Sequence, residues 1–420
     1  MHVWTQTPHR DIIPAMLRHR SFTVYLWITG LRSFLFWTAF ITGSIYYIRM
    51  VGLDPLQLVL VGTVLELTCF CCEIPTGVIA DVYSRKLSII IGFVVIGIGF
   101  IIQGAMSTFT AILVAQVFFG SGWTFISGAE DAWLADEIGN DQLAHAYLRG
   151  KQVTLAASFL GIFSSVALAS LALNVPFLVS GVGLIVVAFA LIRWMTETNF
   201  QPAAASERGD WQKMKRTFAD GIRTIRVSPL LLMILVITLA YGVSREGIDR
   251  LWEAHVLSAV IFPALGGVTT IVWFGMINAI AMLGSLALSF ILQRWIRVLK
   301  GRETVFWLIA RYALLALALV LFALTRSFVW VVASYVAIYT LREVGDAVQS
   351  AWINRNIDSR SRATVLSTIS QMDALGQGGG GPILGAIGVR IGLRASMLAA
   401  SALLAPVIGL LVRVARRRPE

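Results

Sequence analysis

The chain has 420 residues, 57% of them hydrophobic and 14% charged, with a mean hydropathy of +0.78 and a formal net charge of +11. Soluble domains run nearer to about 45–50% apolar and about 25% charged, so this composition excludes a water-soluble fold and makes lipid the solvent for most of the surface. A membrane-crossing helix needs about 20 apolar residues, and a chain of this length with short connections holds about a dozen.

In chain order, the apolar stretches predict spans at 21–48, 56–80, 87–106, 108–137, 147–172, 175–195, 229–258, 266–292, 303–324, 327–353, 363–389 and 393–414. The first is too long for a signal-peptide core and reads as a span. The three cysteines, Cys69, Cys71 and Cys72, sit together in the second span. No histidine lies nearby, so they read as packing residues and not as a metal or disulfide set. The longest interruption, 196–228, is polar and basic. It divides the chain into an N-terminal six-helix bundle (1–195), a linker (196–228) and a C-terminal six-helix bundle (229–420). Within the linker, residues 211–226 carry Met214, Phe218, Ile222 and Ile225 on a helical period, which predicts an amphipathic helix at the membrane surface.

Lysine and arginine are distributed unevenly about these spans. With the N-terminus inside, the inner segments gather Arg85, Lys86, Arg149, Lys151, Arg193, the basic stretches 208–226 and 294–302, and the tail at 413–418. The outer loops hold Arg49, Arg326, Arg390 and Arg394. Positive charge stays on the cytoplasmic side, which predicts a multi-pass protein of a plasma membrane, bacterial inner membrane in type, with both termini cytoplasmic. The same asymmetry accounts for the net charge without a nucleic-acid partner, and the tail at 416–418 suits anionic headgroups.

The strongest local pattern joins the second and third spans: Pro75-Thr76-Gly77-Val78-Ile79-Ala80-Asp81-Val82-Tyr83-Ser84-Arg85-Lys86. It resembles the signature loop of the major facilitator superfamily, Gly-x-Leu-Ala-Asp-Arg-x-Gly-Arg-Lys. Gly77, Ala80, Asp81, Arg85 and Lys86 match. Ile79 stands for Leu, and Val82 and Ser84 replace the usual Arg and Gly. The resemblance extends over the whole chain in its six-plus-six spans, long middle loop and inside termini. The leading Glu73-x-Pro75-Thr76-Gly77 is most similar to the drug:proton antiporters that include tetracycline and macrolide exporters. The resemblance implies an all-α membrane protein of twelve transmembrane helices in two pseudo-symmetric six-helix bundles. It also implies a secondary transporter that uses the proton gradient, needs no cofactor, and acts as a monomer on a small-molecule substrate. In such proteins the loop latches one conformation. Here Gly77 would allow close helix approach, Arg85 would fork onto a carboxylate, and Asp136 or Glu137 is its natural partner. Exporters of this kind carry a Gly-Pro-x-x-Gly stretch in the fifth span. In this chain the fifth span, around Gly161, lacks it, and a glycine run ending in Pro382 lies in the eleventh.

Two further patterns bear on function. The fourth and tenth spans echo each other, Ala132-Trp133-Leu134 against Ala351-Trp352-Ile353, each near the inner end. Such duplication places a substrate site between halves at mid-membrane. Charges inside the spans are costly and mark functional sites. At 1.5 Å per residue, Glu73 and Glu130 lie roughly 10 Å from the inner helix ends, Arg32 roughly 15 Å and Glu66 roughly 20 Å. Arg32 is therefore at a depth to pair with Glu130, Asp131 or Glu66. These carboxylates, with Glu73, are the proton-coupling candidates, biased by Arg32. In the second half, Arg245/Asp249, Glu246/Arg250 and Arg342/Asp346 have i, i+4 spacing and predict pairs along their helices. Arg32, Trp37, Tyr241, Arg245, Glu246, Asp249, Arg342, Glu343, Asp346 and Asp373 are the substrate-cavity candidates.

Three function classes fit a polytopic chain. The residues favour a transporter: proton-coupled efflux of small amphipathic compounds, or alternatively import of a polar or anionic solute. A membrane enzyme would need a catalytic cluster, yet the histidines are scattered at 2, 9, 19, 145 and 255 and no nucleophile–base set or phosphate-binding loop occurs. A receptor that only senses ligand is disfavoured by the switch-type loop.

Overall fold

The computed structural model describes residues 20–200, 228–263, 266, 268–296, 301–355, 357 and 362–417. The amphipathic helix expected over 211–226, the middle of the basic stretch 294–302 and the end of the tail at 416–418 lie outside the described residues.

The described elements are helices. α1 (Arg20–Phe40) continues through α2 (Gly43–Tyr46) into a π-helical turn, Tyr47–Val51. There follow α3 (Pro55–Val82), α4 (Arg85–Ala105), α5 (Phe109–Ile138), α6 (Asn140–Ala169) and α7 (Val175–Trp194). After the linker come α8 (Pro229–Ala259), α9 (Thr270–Ile296), α10 (Gly301–Leu324), α11 (Phe328–Arg355), α12 (Arg362–Arg390), α13 (Leu393–Ala402) and α14 (Leu404–Arg417). Among the described residues, 11 helical stretches are long and apolar enough to cross a membrane, with α1 through the π turn forming one and α13–α14 another. α12 has the length, at 29 residues, but Thr364, Ser370, Gln371, Asp373 and Gln377 dilute its hydropathy. Each expected span falls on a helix. The largest offset is α6, which starts at Asn140 and not near 147.

The breaks have local causes. Pro406 cannot donate to the Ala402 carbonyl, and its ring crowds that group, so the last span divides at Leu403. The π turn closes at Gly52, whose φ of 77° lies in the left-handed region. Pro75 and Pro382 sit inside α3 and α12. Beside the first, the Thr76 hydroxyl donates back to the Cys72 carbonyl at 2.8 Å, and membrane helices tolerate such prolines.

The helices sort into two compact units. The described part of the first is 20–40, 71–106 and 117–200. Within it α1 packs on α6 and α7, and α4 packs on α7. The α4–α7 contact depends on Gly97 and Gly181. A Cβ on either would stand 2.7 Å from the other's carbonyl oxygen, so only glycine permits this approach.

The second unit holds residues 41–70, 107–116 and the described residues from 228 onward. In it α8 packs on α12, and α10 packs on α11 and α14. The glycine-rich α12 meets both α8 and the first half of α3: a Cβ on Gly376 would reach Leu239 O at 2.5 Å, and one on Gly381 would reach Val59 at 2.6 Å. In both units large apolar side chains such as Phe163, Val186, Phe189, Leu317 and Ile383 point outward and are exposed, the pattern of a surface solvated by lipid. Cys71 is among the exposed residues, with Cys69 and Cys72 half-buried, so Cys71 does not fill the packing role its apolar context suggested.

Candidate functional site

In the first unit the signature loop makes a dense polar knot. Ser84 is extended and caps α4, its hydroxyl accepting from Leu87 N at 3.0 Å. That cap aims Arg85 at the end of α5, where it pairs with Asp136 and donates to the Ala132 carbonyl at 2.7 Å. Asp81 lies 3.9 Å away on the other side of the guanidinium. Lys86 donates to Ile192 O at 3.0 Å. Of the two partners expected for Arg85, Asp136 is the one used. Glu137 is buried and accepts instead from Ser21 Oγ at 2.8 Å and from the Thr198 and Asn199 amides at 2.7 and 3.2 Å. Gly77 makes no close helix approach: nothing lies within 4 Å of where its Cβ would stand.

The residues that follow α7 complete this knot, and sequence reading alone missed them. The Glu197 carboxylate accepts from Ser84 Oγ at 2.5 Å and from the Arg85 and Lys86 amides at 2.7 and 3.1 Å. These are unsatisfied N–H groups at the positive end of α4, which favours an anion. Trp133 Nε1 donates to Thr196 O at 2.7 Å, and the Phe200 ring lies under Arg85 at 5.7 Å. The only signal was acidic character just after a span. The Ala-Trp-aliphatic echo corresponds to buried indoles at both places, Trp133 and Trp352.

Deeper in α1, Arg32 pairs with Glu130, which also accepts from Thr29 Oγ1 at 3.4 Å. Of the three carboxylates within its depth, Glu130 is the one it takes. Asp131 is exposed and holds the Tyr147 hydroxyl. Glu66 belongs to the second unit, where Glu246, Arg250 and Asp373 act on it electrostatically. Glu73 is exposed on α3, with no ion pair among the described residues. Trp37 packs against α6, its Cβ beside Gly161. The aromatic face near Arg32 is made by other rings: Phe36, Phe40, Phe119 and Trp123 lie 5.4 to 6.1 Å apart in successive contacts, and Arg32 sits 5.8 Å over Trp123.

The second unit carries the larger charge cluster. Arg342 on α11 forks onto Asp249 on α8, with Nη1–Oδ1 2.6 Å and Nη2–Oδ2 2.8 Å. Arg245 reaches the same carboxylate at 3.3 Å, and Arg250 pairs with Glu246 at 2.9 Å. Both pairs expected along α8 are therefore present. The pair expected along α11 is not. Asp346 turns to Arg311 on α10 and accepts from Tyr241 Oη at 3.1 Å, because the bidentate geometry across to Asp249 satisfies Arg342 better than one turn of its own helix.

Arg311 is 2% exposed. It donates to Leu341 O at 3.1 Å, Gln349 Oε1 at 2.9 Å and Tyr241 Oη at 3.0 Å. Its guanidinium lies 4.8 Å over the Tyr312 ring and fills the space where a side chain on Gly345 would stand. Its intramembrane charge was visible in the sequence, but nothing there distinguished this role from that of the other arginines.

These groups border a polar cavity of about 100 Å³ lined by Arg245, Asp249, Arg342, Glu343 and Asp346, with Tyr339 and the stacked rings of Trp252 and Tyr335 closing it. Tyr241 lies behind it, in the Arg311 network. Asp373 stands on α12 and accepts from Gln377 Nε2 at 2.8 Å. Glu246 is buried with Arg250 where both press on Gly62 of α3, away from the cavity lining. No group of metal-ligating residues occurs among the described residues.

The family model of the Major Facilitator Superfamily matches residues 26–376. An uncharacterized MFS-type transporter of Bacillus subtilis (strain 168), YxaM, is 24% identical over 378 residues, covering 87% of this chain and 89% of that protein. Among solved structures, the fold is similar to the nucleoside transporter NupG (D323A mutant), with a TM-score of 0.74, 13% identity, and 94% and 98% of the two chains covered. It is also similar to a bacterial homolog of the human lysosomal transporter Spinster in an inward-facing, occupied conformation (TM-score 0.73, 14% identity, 98% of each chain). A POT family transporter in complex with 5-aminolevulinic acid gives a TM-score of 0.74 at 12% identity, over 95% and 96% of the chains.

Proposed function

The chain belongs to the Major Facilitator Superfamily, a family of secondary transporters and not of enzymes, and from that premise we propose that it moves a small solute bearing an anionic group in a proton-coupled cycle of alternating access. The observation that carries this reading is the sharing of one carboxylate, Asp249, by two guanidiniums, Arg342 and Arg245, beside a polar cavity. Arg342 commits one N–H of each terminal nitrogen to the fork. Arg245 holds Asp249 through a single longer bond from Nε, its other donors have no hydrogen-bond partner among the described residues, and its side chain is 36% exposed. A carboxylate or phosphate on a solute matches those donors.

In this reading the moving bodies are the bundles 1–195 and 229–420, joined by 196–228. The placement of lysine and arginine supports cytoplasmic termini. The knot of Asp81, Arg85, Lys86 and Asp136 serves as the latch of one conformation. Glu130 and Asp131, set beside Arg32 and Tyr147, and Glu66 in the second unit remain proton-coupling candidates.

A second reading, exchange of amphipathic compounds for protons, is favoured by the aromatic face of Phe36, Phe40, Phe119 and Trp123 beside Arg32. Proteoliposomes with an imposed pH gradient separate the two. Gradient-driven flux of anionic or zwitterionic solutes supports the first, and flux confined to amphipathic cations supports the second. Absence of gradient-dependent flux for every class would remove both.

A further inference from the structure

Glu253 is the fifth charged residue of α8 and the one with no counter-ion among the described residues. It is 6% exposed, and its Oε2 has no hydrogen-bond partner among the described residues. The neighbouring charges are already committed. Arg250 is held by Glu246, Asp249 is held by Arg342 and Arg245, and Arg311 is held by Asp346. The polar groups that face Glu253 come from three elements. Asp249 and Arg250 lie on its own helix, and the Ser44 hydroxyl of α2 shares a hydrogen bond with it. Tyr335 approaches from α11, but its phenol donates to Asn278 Oδ1 at 3.2 Å. His255, two residues along, turns toward the Phe322 carbonyl at 3.2 Å.

An ionised carboxylate buried in such a place would keep its negative charge without a cation of its own, at a cost of several kcal/mol. The neutral acid avoids this cost. It carries no net charge, its O–H can donate to Ser44, and its carbonyl oxygen tolerates an empty acceptor site far better than a carboxylate oxygen does. Resting on the reading of the chain as proton-coupled, we propose that Glu253 is a proton-binding site, held as the carboxylic acid while α2 covers it and deprotonated when that contact opens. The step is a simple transfer: the Glu253 O–H bond breaks, its proton passes to a water molecule admitted past Ser44, and the carboxylate left behind becomes solvated. The reverse transfer reloads the site. α2 and α8 both lie in the second unit, so the cover over Glu253 is part of one compact body that such a cycle would have to part.

Infrared spectra of the full-length protein in liposomes, in H₂O and D₂O, test this directly. Wild type is expected to show the carbonyl-stretch band of a protonated carboxylic acid, shifted by deuterium and lost as the pH is raised. The band should be missing in Glu253→Gln and displaced in Glu253→Asp, which keeps a carboxyl should the amide disturb the fold. Identical spectra for wild type and both variants in this region would overturn the proposal, since Glu253 would then be ionised. If the band behaves as expected while wild-type flux ignores an imposed pH gradient for all solutes, the site stands and the proton-coupled reading falls.

Discussion

The Thr63 hydroxyl on α3 donates to the Gly378 carbonyl on α12 at 3.3 Å. Four residues beyond Gly378 stands Pro382, inside the same helix. A proline has no N–H to give to the carbonyl one turn back, so Gly378 O has lost its helical donor and a neighbouring helix supplies one. A residue of the first six spans thereby satisfies a backbone defect in the eleventh, within one compact unit.

Replacing Thr63 with Val keeps the shape and removes the donor. Leaving a buried carbonyl unsatisfied costs about 1–3 kcal/mol, so Thr63→Val should lower the thermal unfolding temperature of the purified protein. In a Pro382→Ala background the helix regains its own N–H, and the same substitution should cost less. Equal losses in both backgrounds would mean that the hydroxyl is not compensating for the proline.

Arg342→Lys retains the charge and loses the fork onto Asp249. A charge-assisted hydrogen bond contributes about 1.5–3 kcal/mol, about tenfold to a hundredfold in binding. We expect the thermal unfolding temperature to fall and, because the fork fixes Asp249 beside the cavity, the apparent affinity for an anionic solute to fall as well, by up to that factor, read as KM in proteoliposome uptake. Arg342→Lys with unchanged KM would place the solute elsewhere.

Asp346→Asn strips the counter-charge from Arg311, which is fully buried. Removing one partner of a fully buried ion pair costs about 3–5 kcal/mol; the Asp346 side chain is 40% exposed, so this variant should lose less than that and still unfold at a lower temperature than wild type. Gly345→Ala should be destabilising for a related reason: its methyl group competes with the Arg311 guanidinium for the same volume.

Glu197→Gln leaves the hydrogen-bonding shape at the start of α4 but removes the negative charge from a helix N-terminus. Such charges contribute about 0.3–1 kcal/mol. The local readout is hydrogen exchange: the Arg85 and Lys86 amides should exchange faster in the variant, while those of α12 are unchanged.

Much of this architecture was legible in the sequence because lipid imposes a simple rule. A helix that satisfies its own backbone and shows about 20 apolar residues must span, and the expected spans fall on α1–α14 in order. α12 tested that rule hardest, since its polar residues and glycines serve contacts with α3 and α8 and not with lipid. Pairs along one helix were also readable, as Arg245/Asp249 and Glu246/Arg250 demonstrate, because i, i+4 spacing fixes proximity. Pairs between helices were not. Nothing in the spacing of Arg342 and Asp346 reveals that each finds a better partner on another helix. Glu137 and Glu197 were hidden for the same reason: their partners lie 59 to 116 residues away along the chain. Gly77 was over-read, since a glycine in a motif does not by itself mean that another helix comes close.

In the proposed cycle the solute is held by guanidinium donors around Asp249. The most direct test of this is pH-gradient-driven uptake of anionic and zwitterionic solutes into proteoliposomes, comparing wild type with Arg245→Gln at matched protein incorporation. Wild type should take these solutes up when the gradient is imposed, and Arg245→Gln should not. Uptake of the same solutes at the same rate by Arg245→Gln would contradict this.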